Sequence, residues 1–211
     1  MALDAEQEEQ LSAFKAFVEQ YGNWIAGFFL VVALAVAGNF GWRWFQQRDA
    51  AAAAAIYEQY GEAVSTKDAA KARELAAALL QQHPSSAYAG FAALAQARSS
   101  LDGGDAAAGK AQLHWVIDHA SSKELVALAR VRLAGVLLDE KAYDEGLALL
   151  QAEVPAALAA EVSDRRGDLL LAQGKQADAR AAYAKALEQA SAQSPLRAVI
   201  QAKFDALPAA S

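Results

Sequence analysis

The 211-residue chain has no cysteine, four prolines and three histidines, and each shortage closes off some chemistry. Without cysteine there is no disulfide framework, thiolate-ligated zinc, iron–sulfur cluster or thiol nucleophile. Sparse proline, with 13 glycines, leaves few helix breakers in a chain with alanine at 56 positions. Alanine loses no side-chain entropy in a helix, so this composition argues for a mostly helical protein. A basic excess is missing too. Lys and Arg total 19 against 25 Asp and Glu, a net −6, which lacks the electrostatic footprint of a nucleic-acid binder.

The histidines offer no catalytic constellation. His114 and His119 are five residues apart, about 140° around a helix and poorly placed for joint metal ligation. Asp118 beside His119 does not complete a site, and His83 before Pro84 reads as the end of a helix. The pairs Asp139-Glu140 and Asp144-Glu145 flank a turn and read as solvated. No Ser-His-Asp ordering, phosphate-binding glycine loop or metal motif occurs. The chain therefore reads as a non-enzyme, with no catalytic, cofactor-binding or metal-ligating residue, no cofactor and no small-molecule substrate.

What is present is apolar length. No charged residue occurs at the 23 positions between Glu19 and Arg43. At about 1.5 Å per residue this run reaches ~34 Å, enough to cross a bilayer core of about 30 Å. Trp24 at one end and Trp42 and Trp44 at the other fit interfacial aromatic belts, with Arg43 placed to snorkel. The rival is a cleaved signal peptide ending near Ala35-Val36-Ala37. Against it, the preceding tail carries five acids and only Lys15, where a signal needs a basic region. Lys15 on one side against Arg43 and Arg48 on the other weakly favours a cytoplasmic carboxy-terminal side. Within the span Ala33, Ala37 and Gly41 share one helix face, where small residues admit a neighbouring helix or merely reflect alanine abundance. Asn39 either bonds such a helix or sits close enough to the interface to stay wet.

Before the span, Leu11, Phe14, Phe17, Val18 and Tyr21 recur at three- and four-residue intervals. Either an amphipathic docking helix or a weakly ordered lead-in fits them. Its net −4 gives no basic face for anionic lipid.

From residue 46 onward apolar positions keep helical spacing and no strand alternation appears. The clearest unit places Gly167, Leu170, Gly174, Ala179, Tyr183 and Ala186 at offsets 0, 3, 7, 12, 16 and 19. This resembles the tetratricopeptide repeat, in which small residues let two antiparallel helices touch and large ones fill the gap. Stepping back 33 residues gives Ala134, Leu137, Lys141, Gly146 and Leu150 in register. A further unit runs from Ala92 to Val116. Leu113 lies 37 residues before Leu150, so a longer loop around Asp102-Gly-Gly-Asp105 is expected. An earlier hairpin is expected over 50–64 and 68–82, and Ser194 is placed to cap a closing helix begun by Pro195. The fold class is thus all-α: an acidic tail over 1–21, a single transmembrane helix over 22–45, and an α-solenoid of tetratricopeptide-like hairpins over 46–211.

Several stretches are similar to the YfgM family, the ancillary SecYEG translocon subunits of Gram-negative bacteria. They are Glu9-Gln10-Leu11, Lys15-Ala16-Phe17-Val18-Glu19-Gln20-Tyr21-Gly22, Gly41-Trp42-Arg43-Trp44, Leu133-Ala134 with Leu147, and Asp164-Arg165-Arg166-Gly167-Asp168-Leu169-Leu170 with Gly174. The resemblance implies an inner-membrane protein with a cytoplasmic tail and a periplasmic repeat domain, opposite to the weak charge bias. It further implies association with SecYEG and with the membrane-anchored chaperone PpiD, assisting secreted proteins that emerge from the channel.

Stacked hairpins expose a concave face made by the first helix of each pair. The register places Phe91, Arg98, Leu101, Leu128, Val131, Leu138, Asp168 and Leu171 near that groove, some of them as ordinary core. Two other readings stay open: a secreted or periplasmic repeat adaptor for envelope assembly after signal cleavage, and an enzyme regulator with a cytoplasmic repeat domain.

Overall fold

The computed structural model describes the backbone of residues 2–208; the side chains of residues 1–19, 22, 25 and 26 are outside what it describes. The apolar stripe expected from Leu11, Phe14, Phe17 and Val18 therefore lies outside the described residues. Among the described residues every regular element is helical. The long first helix, α1, runs Ala2–Ser65. It is followed by α2 (Ala69–Gln82), α3 (Ala87–Asp102), α4 (Ala106–His119), α5 (Lys123–Asp139) and α6 (Tyr143–Leu149). A 3-10 turn at Ala156–Leu158 leads into α7 (Ala159–Ala172), α8 (Gln176–Gln189) and α9 (Pro195–Asp205). The chain divides into two compact units, Met1–Asp49 and Ala50–Ser211.

The apolar run lies on α1. Its Gly27–Ser65 part contains an 18-residue window of mean hydropathy 1.5, none of it buried, long and apolar enough to cross a membrane. Phe28, Phe29, Val31, Leu34, Val36 and Phe40 are each between 49% and 71% exposed. A helix with apolar side chains on all its faces is of the kind that suits a lipid surrounding. At the carboxy-terminal end of the run, the Arg48 guanidinium sits 4.8 Å over the Trp44 ring.

The second unit is built on one turn used four times. Lys67, Gly104, Lys141 and Gly174 all adopt positive φ, between 59° and 81°. After each, the next residue's N–H reaches back five residues: Asp68 to Ala63 O, Asp105 to Ser100 O, Ala142 to Leu137 O and Lys175 to Leu170 O, all 2.8–2.9 Å. This left-handed closure satisfies the orphan carbonyls of one helix and reverses the chain into the next. The turns at 104 and 141 are alike, so the Asp102–Asp105 loop carries no insertion, contrary to expectation. The four-residue difference between the repeat intervals arises instead in the third hairpin. There α6 has 7 residues against 14 in α2, α4 and α8. Pro155 drives the preceding residue out of helical geometry, and residues 151–154 run irregularly into the 3-10 turn.

Packing follows the repeat. The positions expected to be small, Ala134, Ala179 and Ala186, have no exposed surface. Gly167 takes the closest approach: a Cβ there would stand 2.4 Å from the Tyr183 ring. Successive core clusters center on Tyr60, Leu75 and Leu79, then Leu94, Leu113 and Leu133, then Val131, Leu150 and Leu169, and last Tyr183 and Ile200. Each joins neighbouring hairpins, as in a solenoid. Helix α9 closes the array. Arg180 donates to Phe204 O and Leu207 O at 3.0 and 2.8 Å, with its guanidinium 3.9 Å over the Phe204 ring. Ser194 holds the N-cap position before Pro195, yet its side chain makes no capping bond; the Arg197 N–H bonds the Ser194 carbonyl instead.

Candidate functional site

The face made by α3, α5 and α7 is where the sequence placed a binding groove, and its eight residues divide into an exposed group, a half-buried group and two others, Val131 and Asp168. Phe91, Arg98 and Leu171 are exposed. Phe91 is 44% exposed, with its ring 6.3 Å from Tyr57, which also meets Tyr60 at 5.7 Å and Tyr88 at 5.1 Å. Four aromatic rings from α1 and α3 thus converge at the first hairpin, a feature that repeat spacing alone did not reveal. Burial pushes the Tyr60 phenol up, while its hydrogen bond from Gln96 opposes that shift. The Arg98 side chain is 78% exposed, with Nε 3.5 Å from Asp102 one turn along. Leu171, 38% exposed, is the last.

Leu101, Leu128 and Leu138 form the second group, half-buried between core and surface. Leu101 lies against Gly109, whose missing Cβ makes the room, and Leu128 packs on the Leu94–Leu113–Leu133 cluster. Leu138 covers the cluster that holds Val131. Val131 itself is only 9% exposed, so it belongs to the interface between hairpins and not to a groove surface.

Asp168, the eighth, sits in a polar network. Its Oδ1 accepts from the Tyr183 hydroxyl at 2.8 Å and pairs with Lys203 Nζ at 2.8 Å; its Oδ2 takes Arg165 at 3.2 Å. Lys203 also bridges both oxygens of Asp164, at 2.8 and 2.9 Å. Burial pushes the Asp164 carboxyl up from its ordinary range, against the pull of Lys203. Burial, aided by the adjacent Asp168 carboxylate, pushes the Tyr183 phenol up strongly. These groups tie α9 to α7 and α8, which is a closing role.

Two arginines on this face escaped the sequence reading. Arg132 Nη1 on α5 donates to the Leu94 carbonyl on α3 at 3.4 Å. Arg165 on α7 lies against Gly135 on α5, its Cζ 3.3 Å from where a Cβ would stand. Arg132 and Arg165 are 33 residues apart, the interval that separates the equivalent turns at Lys141 and Gly174. That periodicity was the available signal.

On the apolar helix, Ala33, Ala37 and Gly41 are all exposed, and a Cβ on Gly41 would meet nothing within 4 Å. Asn39 Oδ1 accepts from Arg43 Nε at 3.2 Å, one turn along the same helix. Among the described residues no group of three His, Asp or Glu side chains is placed to hold a metal. His119 stacks on Trp115 at 4.8 Å, with Nδ1 3.0 Å from the Trp115 carbonyl.

A family model described as a tetratricopeptide repeat-like domain matches residues 15–209. An ancillary SecYEG translocon subunit of Neisseria gonorrhoeae is 31% identical over 211 residues, 98% of this chain and 100% of that one. Proteins of the same description from Haemophilus influenzae and Escherichia coli K12 are 26% and 28% identical, covering 90% and 87% of this chain and 93% and 88% of theirs. No solved structure matches the chain significantly.

Proposed function

The chain belongs to the family of ancillary SecYEG translocon subunits, with a tetratricopeptide repeat-like domain, and from that premise we propose that it is a membrane-anchored scaffold docking on the SecYEG translocon. The observation that carries the proposal is likeness along the whole chain, apolar helix and repeats together. Anchor and repeat domain each have a use in this reading. The apolar part of α1 confines the domain to the membrane surface, where diffusion to a channel is two-dimensional. The hairpins offer the exposed groove side chains Phe91, Arg98 and Leu171 on a rigid frame.

In this proposal residues 1–21 form a cytoplasmic tail, 22–45 the inner-membrane span and 46–211 a periplasmic domain. The second partner is the membrane-anchored chaperone PpiD, which the family resemblance implies, and together they receive secreted proteins leaving the channel. No catalytic step is assigned, in keeping with relatives described as a translocon subunit.

Mild-detergent extraction of native membranes with a carboxy-terminal tag tests the docking. SecY, SecE and SecG are expected with the tagged chain; their absence, with the chain recovered intact, would overturn the role. A reporter at the carboxy terminus active only in the cytoplasm would reverse the topology.

A further inference from the structure

Near its turn the second hairpin lacks the aliphatic core of the third and fourth. The shared turn sets the register, since Gly104, Lys141 and Gly174 are equivalent positive-φ residues. Four and five residues before them, α5 has Leu137 and Val136 and α7 has Leu170 and Leu169, all set in core clusters. At the same two places α3 has Ser100 and Ser99. Eight residues before the turn, α5 has Leu133, 1% exposed, and α3 has Gln96. Across from these polar groups the first hairpin offers only small side chains, at Ala63, Ala69 and Ala72 among others.

An open furrow therefore separates the first two hairpins. Tyr60, Gln96, Ser99 and Ser100 line a cavity of about 630 Å³ at its turn end. A second cavity of about 490 Å³ adjoins it between α2 and α4, and Arg73, Gln96 and Ser100 line both. Along α2 the lining runs from Ala69 to Gln81, about 18 Å at 1.5 Å per residue. Among the described residues the Ser99 and Ser100 hydroxyls have no hydrogen-bond partner. Gln96 donates to the Tyr60 hydroxyl at 3.3 Å, which leaves its own carbonyl free to accept. Formal charges at the turn end balance, Lys67 and Arg73 against Asp68 and Asp105, and each aspartate already caps a helix. Such a lining suits a neutral polar occupant and gives a charged one no net attraction.

We infer that the furrow between the first two hairpins binds an extended stretch of polypeptide through its main chain. Main-chain amides are neutral and carry a donor and an acceptor at nearly every residue. An extended chain presents both to its surroundings, whereas a helix has already paired them and has none to give Gln96, Ser99 and Ser100. At about 3.3 Å per residue the furrow takes about five residues. Its alanine walls make no demand on the occupant's side chains, so what is recognised is backbone and not sequence. This recognition deepens the role in receiving secreted proteins and rests on it, because such chains share a backbone and no sequence.

The probe is a capped octapeptide alternating Thr and Ala, uncharged, biased to extended geometry by its β-branched residues and carrying a neutral dye. Its control is the same peptide N-methylated at each alanine, which removes N–H donors and keeps every side chain and carbonyl. The full chain, in phosphatidylcholine nanodiscs, is titrated with each by fluorescence anisotropy. The first peptide is expected to bind with little salt dependence, and the methylated one roughly tenfold or more weakly. Ser99→Val with Ser100→Leu gives α3 the residues that α5 holds. That pair is expected to keep or raise the melting temperature and to cut binding by about tenfold or more. Should it lower the melting temperature, Gln96→Leu, again the α5 residue, carries the test with the same expected loss. Failure of the first peptide to bind, equal binding of the two peptides, or unchanged binding in the deciding variant would overturn the inference. Co-purification with SecYEG reads separately: if it survives while the two peptides are not told apart, main-chain recognition falls and docking stands.

Discussion

Gly167→Ala and Gly61→Ala are one chemical change at two helical glycines, and the structure assigns them opposite signs. In an exposed helix interior the methyl group stabilises by about 1 kcal/mol, because glycine loses more backbone entropy on folding. Gly61 offers that case: a Cβ there meets nothing within 4 Å. At Gly167 the Cβ would stand 2.4, 2.6 and 2.9 Å from three atoms of the Tyr183 ring. That ring is 1% exposed and its hydroxyl is held by Asp168 at 2.8 Å, so it has to move by about 1 Å within a close-packed core. Overpacking of this kind costs roughly 2–3 kcal/mol, which outweighs the helix gain and leaves a net loss of about 1–2 kcal/mol. For a domain of this size that is a fall in Tm of roughly 2–8 °C. Circular dichroism of the full chain in detergent, by heat and by urea, reads both variants. Gly61→Ala is expected to rise slightly and Gly167→Ala to fall. If Gly167→Ala matches or exceeds the parent, the helix contact at the last hairpin is not as close as described.

Lys203→Met removes the cation shared by Asp164 and Asp168, whose side chains are 11% and 15% exposed. Breaking a buried pair costs about 3–5 kcal/mol; with Lys203 30% exposed and Arg165 still on Asp168, about 2–3 kcal/mol is expected from urea midpoints. Lys141 holds φ at 61°, where Gly174 holds 78° in the equivalent turn. Lys141→Gly is therefore expected to leave stability level or raise it by up to about 1 kcal/mol, while Gly174→Ala lowers it by ~1 kcal/mol. Intact mass of the membrane-extracted protein is expected to equal the full 22.2 kDa chain, and a mass short by the first 37 residues would show signal cleavage after Ala37.

The hairpins were legible because their signals are local. Alanines at contact positions, a glycine or lysine at each turn and Pro195 opening the last helix all act within a few residues of where they stand. The third hairpin was misjudged because a long interval of 37 was measured against one of 33, and only the structure shows that α6 is the short element. The groove was harder. Val131 and Phe91 both stand on the first helix of a pair, yet Val131 is buried in the cluster with Leu150 and Leu169 while Phe91 is 44% exposed. The Asp164–Asp168–Lys203 network links residues 35 and 39 apart, beyond any window of local pattern. For Asn39 the sequence allowed either a bond to a neighbouring helix or a wet place near the interface, and the structure adds a bond to its Oδ1 from Arg43 on the same helix.

Docking on the translocon through the concave face is the claim on which the account depends most. A photo-activatable amino acid placed singly at Phe91, Arg98 or Leu171, and as a control at buried Leu133, tests it in native membranes. The three groove positions are expected to give adducts with subunits of the SecYEG assembly or with PpiD, and the buried position none. Absence of such adducts from all three, in chains that retain their membrane location and helical signal, would contradict it.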